Sequence, residues 1–165
     1  MYYLNVFLGY SIIGYLFEML VCLIFKQKPT SGIMYGPWTP IYGIGILLIL
    51  FINRFVLKFN MNKVLELIVF FILVVVILSL IEQLGGVLLD KLFHKTLWSY
   101  NDLKFHITKY VALEVSILWG GAAILIAYVI QPLINNLFYK VPFIVTAIAF
   151  IAFMIDAVVT FFKNI

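Results

Sequence analysis

Apolar positions fall in five long runs broken by short charged or turn-forming stretches, and walking from charge to charge draws five helices. The runs cover about Tyr3 to Phe25, Ile41 to Leu57, Val64 to Leu89, Val111 to Ile130 and Val141 to Phe162. A helix needs ~20 apolar residues to cross the hydrocarbon core of a bilayer, and most of these runs come close to that. Between them lie Lys26 and Lys28, the turn "KFNMNK", the polar aromatic segment "DKLFHKTLWSYNDLKFHITKY", and "QPLINNLFYKVP", a short connection bracketed by Pro132 and Pro142. The pattern predicts an all-α membrane protein of about five transmembrane helices, a single polytopic domain over residues 1–165.

Composition leaves no room for a separate soluble domain: 65% of residues are hydrophobic, 11% are charged and the mean hydropathy is +1.17. The net charge of +4 does not point to nucleic acid, because the lysines are scattered between apolar runs and form no basic tract. Their distribution instead reads as a topology signal. Lys26, Lys28, Lys91, Lys95, Lys104, Lys109 and Lys163 fall on one side, and Arg54, Lys58, Lys63 and Lys140 on the other. This bias favours an N-terminus outside and a C-terminus in the cytoplasm. Cys22 has no cysteine partner and falls inside the first run, where it reads as packing. The N-terminus carries no basic region and no small-residue cleavage site, so the first run is expected to stay as a span.

Acidic residues are costly in lipid and therefore informative. Asp90 and Asp102 fall in the third loop, and Glu66 in the first turn of the third span, where a carboxylate suits the helix dipole. Glu18, Glu82, Glu114 and Asp156 lie inside spans. Counting ~1.5 Å per residue from the span ends puts all four roughly 6–12 Å from one membrane surface. Glu18 shares its stripe with Ser11 and Gly14, Glu82 with Ser79 and Gly86, and Asp156 with Ala149, Ala152 and Thr160. Small residues mark faces where helices approach one another. Glu114 stands beside the small stripe of its helix and fits a rim position. The expectation is a shared acidic pocket open to one side, binding a cation or an amine; the competing reading is separate interfacial carboxylates, snorkelling or paired with loop lysines.

The stretch "SGIMYGPWTPIYGIG" holds two of the five prolines and four of the ten glycines. Pro37 and Pro40 remove backbone donors, and Gly36 and Gly43 allow close backbone approach. With no charge from Pro29 to Asn53, the segment can dip inward as a re-entrant gating hairpin. Tyr35, Trp38 and Tyr42 would then face the ligand; the alternative is a tight turn whose aromatics belong to the interfacial belt. In the third loop His94, Trp98, Tyr100 and His106 are placed at the pocket mouth, on an amphipathic segment lying along the membrane surface. The two histidines stand twelve residues apart and match no metal-ligand spacing, so no metal site is expected.

Taken together, "SGIMYGPWTPIYGIG", Glu82 within "SLIEQLGGVLLDKLFHKTLWSYNDLKFHI" and the later "SILWGG" resemble the small bacterial membrane proteins catalogued as putative ABC transporter type IV, or permease-like, proteins. The resemblance runs from about Gly14 to Pro132. It departs in the third loop, where the family tends to LWDYS and this chain reads Leu97, Trp98, Ser99, Tyr100 and Asn101. The resemblance implies a bacterial plasma membrane location. The chain has no GxxxxGK[ST], so ATP would be handled by a separate ATPase or other membrane subunit. The function expected is a polytopic component of a small-solute transport system, with the lipid bilayer and a small-molecule ligand as partners and no cofactor. The alternative is a membrane-embedded enzyme or lipid-handling protein that uses the same carboxylates near the headgroups, although no convincing nucleophile or catalytic residue stands beside them. A third is a purely structural partner subunit with a dry interior.

Overall fold

In a computed structural model, which describes residues 1–24, 26 and 32–164, five helices are long and apolar enough to cross a membrane. They are α1 (Tyr2–Ile24), α2 (Pro40–Leu57), α3 (Lys63–Phe93), a fourth spanning Leu113–Lys140, and α6 (Phe143–Asn164). Helices are the expected answer for such runs, because lipid offers no partner to backbone N–H and C=O groups and a helix satisfies them internally. Phe25, Lys28, Pro29 and Ser31, which close the first expected span and open the Pro/Gly stretch, lie outside the described residues.

Local chemistry sets the helix ends. Pro40 opens α2 at the first helical position, where its missing N–H costs nothing. Asn62 caps α3, its side chain accepting from the Leu65 N–H at 3.0 Å. His94, in the left-handed region at φ 50°, closes α3 with its N–H on the Asp90 carbonyl. Asp90 and Lys91 therefore belong to the last turn of α3 and not to the loop after it.

One sequence expectation is corrected here. The stretch "QPLINNLFYKVP" is not a loop: α4 (Leu113–Leu125) passes through a π turn (Ile126–Ile130) into α5 (Gln131–Lys140). In a regular α-helix the Pro132 ring would collide with the Tyr128 carbonyl. The π turn widens the backbone there, with the Gln131 N–H bonding back to the Ile126 carbonyl five residues earlier. The chain breaks only at Pro142, whose carbonyl accepts from the Val145 and Thr146 N–H groups. The third loop, expected as an amphipathic segment along the surface, carries short strands. Its end forms an antiparallel pair, β1 (His106–Thr108) and β2 (Val111–Ala112), from a run rich in β-branched and aromatic residues.

The chain divides into two compact units, residues 1–47 with 136–165, and residues 48–135. In the first, Leu8, Met34 and Trp38 form a buried cluster backed by Phe7, Ile12 and Phe153. A buried polar link ties α1 to the α5 end and to α6: Asn5 Nδ2 donates to the Phe138 carbonyl at 2.9 Å, and Thr146 Oγ1 donates to Asn5 Oδ1 at 2.6 Å. In the second unit α3 and α4 run antiparallel. Their register is fixed by a Ser79–Ser116 hydroxyl contact of 2.7 Å, by Gly120 against Phe71 and Val75, and by Gly86 under the Tyr110 ring. Small residues at these three levels let the backbones close up.

Candidate functional site

The acidic residues singled out from the sequence divide evenly, Glu18 and Asp156 in the first unit and Glu82 and Glu114 in the second. In the first unit Asp156 is committed to the Pro/Gly hairpin. Its Oδ1 accepts from the Tyr35 N–H at 3.1 Å and its Oδ2 from the Gly36 N–H at 2.7 Å, with Thr160 Oγ1 adding a 3.2 Å bond. Asp156 stands eight residues before the end of α6, so the hairpin reaches about 12 Å along that helix. Trp38 is buried and meets Phe153 edge-on at 5.7 Å, and the Thr39 N–H donates to the Ser11 carbonyl at 3.0 Å. Pro37 is exposed, as is the Tyr35 side chain, with the Lys163 ammonium 5.2 Å from its ring. Tyr42 covers Gly14 and hydrogen-bonds the half-buried Glu18 carboxyl.

In the second unit both acids are reached by the loop that joins α3 to α4. Glu82 is 8% exposed, and its Oε1 accepts the Tyr100 hydroxyl at 2.8 Å. Glu114 Oε1 accepts the Phe105 N–H at 3.0 Å. In both residues the remaining oxygen, Oε2, is buried and has no hydrogen-bond partner among the described residues. From the Ser79–Ser116 contact, Glu82 lies about 4.5 Å along α3 and Glu114 about 3 Å along α4 toward the same end, which puts them nearly level. The Trp119 side chain also hydrogen-bonds the Glu82 carboxyl.

The loop is held down by polar contacts. Lys109 Nζ bonds Asp90 at 3.3 Å and Thr96 at 2.9 Å. Hydrogen bonding to Tyr110 and Asp90 holds the Lys109 ammonium above its ordinary pKa. Thr108 Oγ1 bonds Gln83, and Trp98 Nε1 donates to the Tyr110 carbonyl at 3.4 Å. His94 and His106 are exposed, the first as a helix cap and the second with its ring on the Leu103 carbonyl. No group of three or more His, Cys, Asp or Glu that would hold a metal occurs among the described residues.

Sequence reasoning missed Trp119 and the Phe105 N–H as neighbours of the acids. It also missed the contact of Tyr128 with Glu66, where the phenol donates at 3.0 Å and the Lys63 ammonium sits 4.2 Å over the ring. The only available signal was Tyr128 standing as a polar aromatic inside an apolar run.

A family model described as Putative ABC-transporter type IV matches residues 5–161. No curated protein matches the chain, and no solved structure does.

Proposed function

Because the chain belongs to the ABC-transporter type IV family, we propose that it is a polytopic membrane component of a small-solute transport system in which Glu82 selects for positive charge. The observation that carries this reading is the buried Glu82 Oε2, which has no hydrogen-bond partner among the described residues. An ionised carboxylate removed from water costs several kcal/mol unless it is paired. The Tyr100 hydroxyl donates to one oxygen and Trp119 adds a hydrogen bond to the carboxyl, but both donors are neutral, and a cation or an amine would supply the balancing charge.

Within the first unit Asp156 acts as a latch on the segment from Gly32 to Thr39, a role that accounts for both Asp156 oxygens. The loop lysines orient the chain in a bacterial plasma membrane with the C-terminus in the cytoplasm. Energy coupling comes from a separate ATPase subunit.

Thermal unfolding of the purified protein tests the reading, with butylammonium, sodium and potassium as probes. A ligand at about 100 times its Kd stabilises by about 2.7 kcal/mol, a rise of roughly 5–10 °C for a chain of this size. The expected result is such a rise in the wild type and none in Glu82→Gln. Equal shifts in both proteins, or a shift given only by phospholipid headgroups, would remove Glu82 from the account.

A further inference from the structure

Glu82 is buried, and its Oε2 is shielded from solvent. A solute does not reach that oxygen with the chain arranged in this way, so a neighbouring part must move. The loop that joins α3 to α4 lies against the carboxyl, its Tyr100 hydroxyl ending on Glu82 Oε1 at 2.8 Å.

Two parts of that loop are held differently. Tyr110, Val111 and Ala112 are buried, and the Tyr110 ring lies over Gly86 of α3, which makes them part of the packed core. From His94 to Lys109 no residue is buried. This stretch is braced within itself, the Tyr100 N–H donating to the Lys109 carbonyl at 2.8 Å and the Leu103 N–H to the Tyr100 carbonyl at 2.9 Å. Its hydrogen bonds to the helices end on side chains: Glu82, Glu114, Gln83 and Asp90. Segments with few buried apolar side chains and exposed hydrogen bonds open at a fraction of the free energy of global unfolding.

Asp90 is where the two ends of the stretch meet. Its Oδ1 accepts from Thr96 at 3.2 Å and its Oδ2 from Lys109 at 3.3 Å, while Lys109 also bonds Thr96 at 2.9 Å. The Asp90 carboxylate itself stands beside the core residue Tyr110. The Lys109 and Asp90 side chains are 39% and 43% exposed, and an ion pair so placed holds weakly.

We propose that the stretch from Lys95 to Lys109 is a lid over Glu82, latched at Asp90, and that release of this latch opens the carboxyl to solutes from water. The inference rests on the reading of Glu82 given above and names how access to that site is regulated. The closed lid keeps Tyr100 on Glu82; the open lid withdraws the phenol and leaves the carboxyl to a cation.

The test measures how fast Glu82 is modified by a water-soluble carbodiimide with glycine methyl ester, on the whole protein in phosphatidylcholine nanodiscs, read by mass spectrometry of its peptides. The variants are Asp90→Ala and, if that protein does not fold, Lys109→Met. Either should raise the rate at Glu82 by about ten-fold, as the open fraction grows, and leave Glu18 in the other unit at its wild-type rate. Hydrogen exchange at the Tyr100 amide should accelerate with it, and exchange in the middle of α3 should not. Labelling of Glu82 that stays at the wild-type rate overturns the lid, whether or not Tyr100 exchanges faster; the Glu82 reading then stands if butylammonium still binds the wild type and not Glu82→Gln. Faster labelling of Glu82 and Glu18 together means general loosening and also overturns it. Butylammonium binding that is equal in the wild type and Glu82→Gln overturns the Glu82 reading, and accelerated labelling confined to Glu82 would still establish the lid.

Discussion

Replacing Gly43 by alanine is expected to cost about 3 kcal/mol, at the upper end of the range for overpacked sites. A Cβ at this position would stand 2.5 Å from the Phe7 carbonyl oxygen and would also meet the Ser11 hydroxyl. Neither neighbour can give way easily. The Phe7 carbonyl is backbone and already accepts Ser11 Oγ at 2.7 Å. Ser11 is fully buried, and its own carbonyl holds the hairpin through the Thr39 N–H. The added methyl must therefore push α1 and α2 apart at the point where the hairpin is anchored. Gly121→Ala is the matching control, since a Cβ there meets nothing within 4 Å, and relief of the glycine's helix penalty makes it neutral to mildly stabilising. Unfolding midpoints of the two variants check this: the Gly43 change should lower the midpoint by several degrees and the Gly121 change should not. A Gly43→Ala protein as stable as the wild type would mean that the close approach of α2 to α1 is wrong.

Asp156→Asn should release the hairpin. Both carboxyl oxygens accept backbone N–H groups, at 3.1 and 2.7 Å, and hydrogen bonds to a charged group are worth about 1.5–3 kcal/mol each. The amide keeps one acceptor and turns an NH₂ toward the other N–H, so a donor faces a donor. The loss is put at about 2–4 kcal/mol, toward the low end because the site is only half buried. Hydrogen exchange at the Tyr35 and Gly36 amides should accelerate by at least ten-fold, and exchange in α3 and α4 should stay as it was. Unchanged exchange at Tyr35 and Gly36 would mean that Asp156 does not hold the segment.

The spans were legible because five apolar runs bounded by charges leave little choice of fold, and the long helices occupy those runs. What was misread at 131–142 was a proline taken as a stop. Pro132 is tolerated because a π turn makes room for its ring, a local backbone adjustment that no residue pattern announces. The Pro/Gly stretch announced itself as irregular backbone, but its partner did not. Asp156 lies 120 residues from Gly36, and nothing in the spacing of either segment pairs them. Glu82 was visible as a carboxyl in an apolar run, and Tyr100 as a polar aromatic in the following loop. The bond between them depends on the β-hairpin folding that loop back onto α3, which the mixed polarity of "NDLKFHITKY" concealed.

The account depends above all on Glu82 keeping one buried carboxyl oxygen for a positively charged solute. Infrared difference spectroscopy on the wild type and Glu82→Gln, recorded before and after addition of butylammonium, reads that oxygen directly. A change in the carboxyl bands on amine addition that is present in the wild type and missing from the Glu82→Gln spectrum is the predicted result. Identical difference spectra from the two proteins would contradict it.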